Sequence, residues 1–373
     1  MLEAWKDFRR GKRTKQDVQE FQTGLMHNIV LLHEELKNKT YKHGGYEYFK
    51  IADPKPRDIH KASVRDRLLH HAIYRKLYPF FDRTFIYGSY SCRLGKGTHK
   101  AMNQFRAFAY QVSKNHTRTC WVLKCDIRKF FASIDHQTLF AILEKYIPDQ
   151  NILWLLREVV SSFSVNGAHS QGLPLGNLTS QLLVNIYMNE FDQYTKHRLK
   201  AKYYIRYADD FVFLSHDKTE LEQRLRYIVV FLRDELKLQL HPNKVSIQTF
   251  ASGVDFLGWV HFADYRVLRT SSKRRMLRRI RESNKDKQTL LSYTGLLSHG
   301  NAHKLQEQIR RGEPHNLLLA RGAAACNLCL SDVVGERFTD FFKQLGGYLF
   351  VFAQVGAAGV VAAAQLLFAK AVG

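Results

Sequence analysis

Tyr203-Tyr204-Ile205-Arg206-Tyr207-Ala208-Asp209-Asp210-Phe211-Val212-Phe213-Leu214 sets two adjacent carboxylates between two short apolar, β-favouring runs. That is the pattern of a hairpin with the aspartates at its tip. Successive strand side chains point to opposite faces, so a tight turn is needed to keep both carboxylates near one site. Like charges held that close require a cation between them or a shared proton. Asp is also a common turn former, so this stretch alone equally fits a solvated Asp-Asp turn.

Cys120-Trp121-Val122-Leu123-Lys124-Cys125-Asp126-Ile127 reads as a buried strand ending in a third carboxylate, and Phe130-Phe131 and Ile134-Asp135 follow it. One Asp on a strand beside two on a hairpin gives three acidic oxygen donors in one cleft. Hard ions such as Mg²⁺ take such donors, with substrate phosphates completing the shell. Two such ions about 3.5–4 Å apart can clamp the attacking and leaving oxygens of an in-line phosphoryl transfer.

Tyr207-Ala208-Asp209-Asp210, with Asp126 and Phe131 upstream, resembles the palm of reverse transcriptases, and the resemblance runs from about residue 15 to about residue 305. It implies an α/β right-hand polymerase with fingers, an antiparallel palm sheet and a helical thumb. The expected division is a basic helical leader over 1–45, fingers over 46–115 and a palm over 116–255, of which 136–175 contributes to the fingers. A primer-grip hairpin and basic thumb cover 256–310, and an extension of unassigned role covers 311–373.

The resemblance also implies roles for single residues. Asp126, Asp209, Asp210 and the Ile127 carbonyl would hold two Mg²⁺, or Mn²⁺ in their place, and Lys244 would act as a general acid for departing pyrophosphate. Lys55, Arg57 and Arg67 fall in the block that contacts the incoming triphosphate. Arg67 equally fits a structural pairing with Asp66. Phe131 takes the place of the aromatic that blocks a ribose 2′-hydroxyl. Arg93 sits in a Gly-containing basic loop, and Gly258-Trp259 resembles the hairpin that holds the primer end. Lys273, Arg274, Arg275, Arg278 and Arg279 lie in a basic helix expected within 266–287 and suited to a phosphate backbone. His299 falls in the thumb match Ser292–Asn301.

Most reverse transcriptases carry Gln-Gly and then Ser-Pro before the long apolar helix that starts near Leu182. This chain has Leu175-Gly176-Asn177 and then Ser180-Gln181. That substitution resembles the reverse transcriptases of diversity-generating retroelements. It implies a template-repeat RNA copied with errors at adenines to diversify a target gene, with a small basic accessory protein oligomer as partner. The alternatives are a defence- or intron-associated reverse transcriptase and, from another class, a non-catalytic basic RNA-binding scaffold.

Composition bounds these readings. The chain of 373 residues carries 57 Lys+Arg against 34 Asp+Glu, a net charge of +23, which points to a polyanionic partner, either nucleic acid or an anionic membrane surface; the resemblance implies template RNA, an RNA/DNA duplex and dNTPs. Five cysteines form no disulfide framework, and no signal-peptide core opens the chain, so a reducing cytoplasm is expected, and the resemblance implies a prokaryotic or phage-encoded protein. Cys326-x-x-Cys329 lacks a second pair at zinc spacing. Residues 344–369 carry no charge, a length that could span a bilayer, but the Gly/Ala-rich composition favours docking on protein.

Overall fold

The computed structural model describes residues 1–51, 56–164, 170–284 and 286–311. Lys55, Cys326, Cys329 and the uncharged run 344–369 lie outside the described residues. Helices α1 (Leu2–Arg9), α2 (Gln16–Thr23) and α3 (Leu25–Lys37) open the chain. The sequence predicts one amphipathic helix here, whereas Gly24 separates α2 from α3. A hairpin of β1 (Tyr46–Ile51) and β2 (Arg57–Ala62) follows, then α4 (Val64–Thr84) and α5 (Thr98–Val112). Ser63 caps α4, accepting the Asp66 amide at 3.1 Å.

The second part runs β3 (Trp121–Asp126), α6 (His136–Tyr146), α7 (Gln150–Ser161), α8 (Leu178–His197), β4 (Tyr204–Tyr207), β5 (Asp210–Ser215) and α9 (Lys218–Asp234). Carboxylates at Asp135, Asp149 and Asp217 cap α6, α7 and α9 through the orphan amides of each first turn. Then come β6 (Ser246–Thr249), β7 (Val254–Phe256), β8 (Trp259–His261), β9 (Arg266–Leu268), α10 (Thr270–Glu282), α11 (Lys287–Leu297) and α12 (His303–Arg311). The basic helix is therefore shorter than the sequence predicts. Arg266 lies on β9 and Arg269 precedes α10, because β9 pairs with β8 and uses up the first residues of the run.

Among the described residues the strands form three antiparallel sheets: β1-β2, β4-β5-β3-β6 and β7-β8-β9. The four-stranded sheet is buried on both faces, and the period of two sorts its side chains between two cores. Leu123, Cys125, Tyr204, Phe211 and Phe213 join the core built with α4, α6, α8 and α9. Val122, Ile205, Tyr207, Val212 and Leu214 join the core built with α5, β7, β8 and the C-terminal helices. Each such Leu, Ile or Phe is worth about 1.5–3 kcal/mol when fully buried. Asp126 and Asp210 stand at the end of this sheet, so both cores fix their position. Among the described residues, no helix is long and apolar enough to cross a membrane.

Candidate active site

Asp126 ends β3 and lies directly opposite Asp210, the first residue of β5, in the antiparallel register. Ala208 and Asp209 form the two-residue turn between β4 and β5, with Ala208 in the left-handed region at φ 56°. Only Asp209 is at the tip, and Asp210 already belongs to the ladder. The amide of Ile127 donates to the Asp209 carbonyl at 3.2 Å, tying the turn to the end of β3. Ile127 also bridges Leu240, through bonds from Arg128 to Gln239 and from His241 to Asp126. The Ile127 carbonyl stands outside that pair of bonds.

The charges at this end are unbalanced. Burial, and then the charge of Asp126, push Asp209 up to about 6, against the pull of Arg57 and Lys244. Burial pushes Asp210 up to about 7, with Asp209, Asp126 and Asp255 adding to it and Lys124 opposing. Asp210 Oδ1 is buried and accepts no hydrogen bond from a described residue; its nearest cation is Lys124 Nζ at 3.9 Å. Lys124 sits two residues before Asp126 on the same face of β3, and its ammonium is held by the Asp255 carbonyl at 2.7 Å. Lys244, in the turn before β6, donates to Asp126 Oδ1 at 2.7 Å.

This donor set fits a hard divalent cation: it is all oxygen, burial and then like charge raise two carboxylates, and one buried oxygen is unsatisfied. Among the described residues, however, no three acidic, His or Cys side chains converge into a ready-made metal cage. Lysines supply the positive charge here: Lys244 on Asp126 and Lys124 beside Asp210.

The sequence reading missed Arg206. Its side chain is fully buried beneath the turn. Nε and Nη2 bind the Asp192 carboxylate at 2.9 and 2.7 Å, Nη1 binds Asn185 Oδ1 at 3.1 Å, and Nη2 binds Ser89 Oγ at 3.0 Å. Nη1 also donates to the Ala208 carbonyl at 3.2 Å, so the guanidinium holds the turn that carries Asp209. Tyr204 adds its hydroxyl to Asp192 at 2.8 Å. One signal was legible. Asn185 and Asp192 lie seven apart, on one face of α8, and Arg206 is the one charge within β4.

The other predicted residues fall into two groups. Those in the first group lie near the carboxylates or in the loop facing β2. Arg57, half-buried on β2, has its pKa pulled down by burial and restored in part by Asp209, so the hairpin projects a cation toward the turn. The Leu175 carbonyl accepts the His60 amide at 3.2 Å, and Asn177 Nδ2 donates to the His60 carbonyl at 3.0 Å. Gly176 (φ +110°) lies against Ile59, where a Cβ would approach Cγ2 to 3.1 Å. The Leu-Gly-Asn loop is thus clipped to the strand that bears Arg57. Gln181 is buried in α8. Phe130 is a core residue, while Phe131 is half-buried and its carbonyl accepts the Leu173 amide at 2.8 Å.

Residues of the second group are taken up structurally. Arg67 binds Asp17 at 2.6 Å and lies over the Phe8 ring, so α2 is its partner rather than Asp66. Arg93 is held by Asp82 at 2.7 Å and by the carbonyls of Ile86 and Ser89. Gly258 (φ 85°) turns the β7–β8 hairpin together with Leu257, but Trp259 is buried in the core. His299 stacks on His99 at a centroid distance of 3.5 Å, and its carbonyl accepts Arg266 Nε.

On α10, Ser272, Met276, Leu277 and Ile280 are buried; Arg274 is exposed, and Lys273, Arg275, Arg278 and Arg279 are half-buried. Arg278 also approaches Glu282 at 3.7 Å. Neutralising Arg274, Arg275, Arg278 and Arg279 together should weaken binding of an RNA/DNA duplex. The slope of log K against log salt should fall by up to about 0.9 for each phosphate that the variant no longer neutralises. Salt titration of duplex binding reads this directly, and an unchanged slope would show that the arginines bind no phosphate.

Residues 37–261, more than half of the chain, match the family described as Reverse transcriptase (RNA-dependent DNA polymerase). The chain belongs to the reverse transcriptase family. Asp126, Asp209, Asp210, Arg206 and Lys244 all lie within the matched stretch, and membership makes the chain a nucleotidyltransferase of this type. It is 26% identical over 276 residues to Protein YkfC of Escherichia coli (strain K12), covering 64% of this chain and 72% of that protein. It is 22% identical over 311 residues to the Group II intron-encoded protein LtrA of Lactococcus lactis subsp. cremoris, covering 65% of this chain and 50% of that protein. Among solved structures, a telomerase from Candida albicans aligns with a TM-score of 0.48 at 12% identity, over 69% of this chain and 53% of that one.

Proposed function

We propose that the chain synthesises DNA on an RNA template, with β1-β2 and its neighbours as fingers, the four-stranded sheet as palm and α10–α12 as thumb. The observation that carries this is Asp126 opposite Asp210, with Asp209 in the adjoining turn, at the end of a sheet buried on both faces. Asp126, Asp209, Asp210 and the Ile127 carbonyl would hold Mg²⁺, which when bound supplies charge neutralisation and acidifies a primer 3′-hydroxyl. Arg57 on the fingers hairpin meets the triphosphate as a cation near Asp209. Lys244 Nζ, already hydrogen-bonded to Asp126, carries a proton at the site and can give it to departing pyrophosphate. Phe131 limits the sugar pocket. Phe131→Ala should raise the ratio of ribonucleotide to deoxyribonucleotide incorporated, and an unchanged ratio in an active variant would locate that limit elsewhere.

The similarity to LtrA favours an intron-associated enzyme over the diversity-generating type. One observation favours the latter: Leu175-Gly176-Asn177 and Ser180-Gln181, in a loop fastened to the fingers strand. Glutamine can donate and accept hydrogen bonds where leucine can do neither. One such bond is worth about 0.5–1.5 kcal/mol, up to about tenfold in rate. Under this second reading, Leu175→Gln lowers misincorporation opposite template adenine more than opposite other bases. Sequencing the cDNA made by both forms on one RNA template tests both readings. Accurate cDNA from the wild type leaves the intron-associated reading, adenine-biased errors support the second, and no cDNA contradicts both.

A further inference from the structure

The loop between α4 and α5 runs along the free edge of β4. Ser89 bridges Arg206, with Arg206 donating to Gly88 at 2.9 Å and Tyr90 donating to Arg206 at 3.0 Å. A Cβ on Gly88 would come within 2.7 Å of the Tyr204 carbonyl, so this close approach requires glycine. The loop is thereby fixed three residues from Asp209. Its outer side carries two of the most exposed large apolar residues of the described chain, Tyr87 at 71% and Leu94 at 75%. Lys96 Nζ sits 3.4 Å from the centroid of the Tyr87 ring and donates to the Tyr87 carbonyl at 3.0 Å. Lys100 Nζ folds over the same loop onto the Gly95 carbonyl at 2.5 Å. A Cβ at Gly95 or Gly97 would meet nothing within 4 Å, so the surface beside the lysines is open.

Around Lys96 the described cations outnumber the carboxylates. Asp82, the carboxylate that acts on Lys96, is already held by Arg93, and Arg93 and Lys100 both repel Lys96. One lysine on an open glycine loop and one on the first turn of α5, with one exposed aromatic ring, are the groups that an unpaired polynucleotide strand engages. The cations follow phosphates and the ring stacks a base. In a duplex the bases are stacked on each other and offer no face to a protruding ring.

We propose that Tyr87, Leu94, Lys96 and Lys100 form a binding platform for single-stranded nucleic acid alongside the catalytic strand, with Tyr87 stacking a base and the lysines holding its phosphates. This rests on the reverse transcriptase reading for the ligand class. Fluorescence anisotropy of the full chain with a labelled oligo(rU) 20-mer, and separately with a blunt RNA/DNA duplex, tests it. Both titrations are run without primer, nucleotide or metal, so the platform can fail while wild-type extension stands, and the reverse. Tyr87→Ala should weaken oligo(rU) binding by about 5- to 100-fold and duplex binding by less than about twofold. Tyr87→Phe, which keeps the ring, should stay within about twofold of wild type for both. Lys96→Gln should flatten the salt dependence of oligo(rU) binding. A melting curve checks that each variant is folded, as substitution at exposed Tyr87 should allow. Unchanged oligo(rU) affinity in folded Tyr87→Ala, or an equal loss for strand and duplex, overturns the platform.

Discussion

Asp209→Asn and Asp126→Ala should each lower nucleotide incorporation by at least about a hundredfold, the lower end of what removing one preorganised charge-stabilising group costs. Neither should unfold the chain. Burial and like charge hold Asp209 above the ordinary carboxylate range, so its ionised form destabilises the native state at neutral pH, and a neutral amide removes that repulsion. Asp126→Ala frees Lys244, whose side chain is 39% exposed and can turn to water at little cost. Primer extension beside a melting curve separates the effects. Robust Mg²⁺-dependent extension by either variant would contradict the role of the carboxylates.

Arg206→Met should be the most destabilising substitution proposed for the four-stranded sheet. It leaves the Asp192 carboxylate buried with its main counter-charge gone, a change that costs about 3–5 kcal/mol. It also strips a donor from Asn185, Ser89 and the Ala208 carbonyl. Asp192→Leu added to Arg206→Met should recover part of that loss, since a buried ion pair and an apolar pair are often close in energy. Urea denaturation of the single and double variants measures the coupling. A loss below about 1 kcal/mol for Arg206→Met would show that the turn is held by the sheet alone.

The parts of the fold that local chemistry determines were legible in the sequence. Alternation and β-branching located β3, β4 and β5. The Asp209 turn was readable for the same reason. What escaped was partner choice among cations. Arg57, Arg67 and Arg93 look alike in a basic stretch, yet Asp17 takes up Arg67 and Asp82 takes up Arg93, while Arg57 turns toward Asp209. Such pairings depend on which helices pack together, and spacing along the chain does not carry that information. Trp259 shows the same limit: the hairpin is legible, but the face it buries is set by the C-terminal helices. Arg206 stood inside the stretch that decided the fold and was passed over, because its partners Asn185 and Asp192 lie on a different element.

The most direct test of the central claim is extension of oligo(dT) annealed to poly(rA) by the purified chain, with dTTP and Mg²⁺. The account predicts dTMP incorporation that requires the RNA template and the primer, stops on chelation of the divalent ion and is lost in Asp209→Asn. No incorporation by folded wild-type protein, or incorporation that persists without the template, would contradict it.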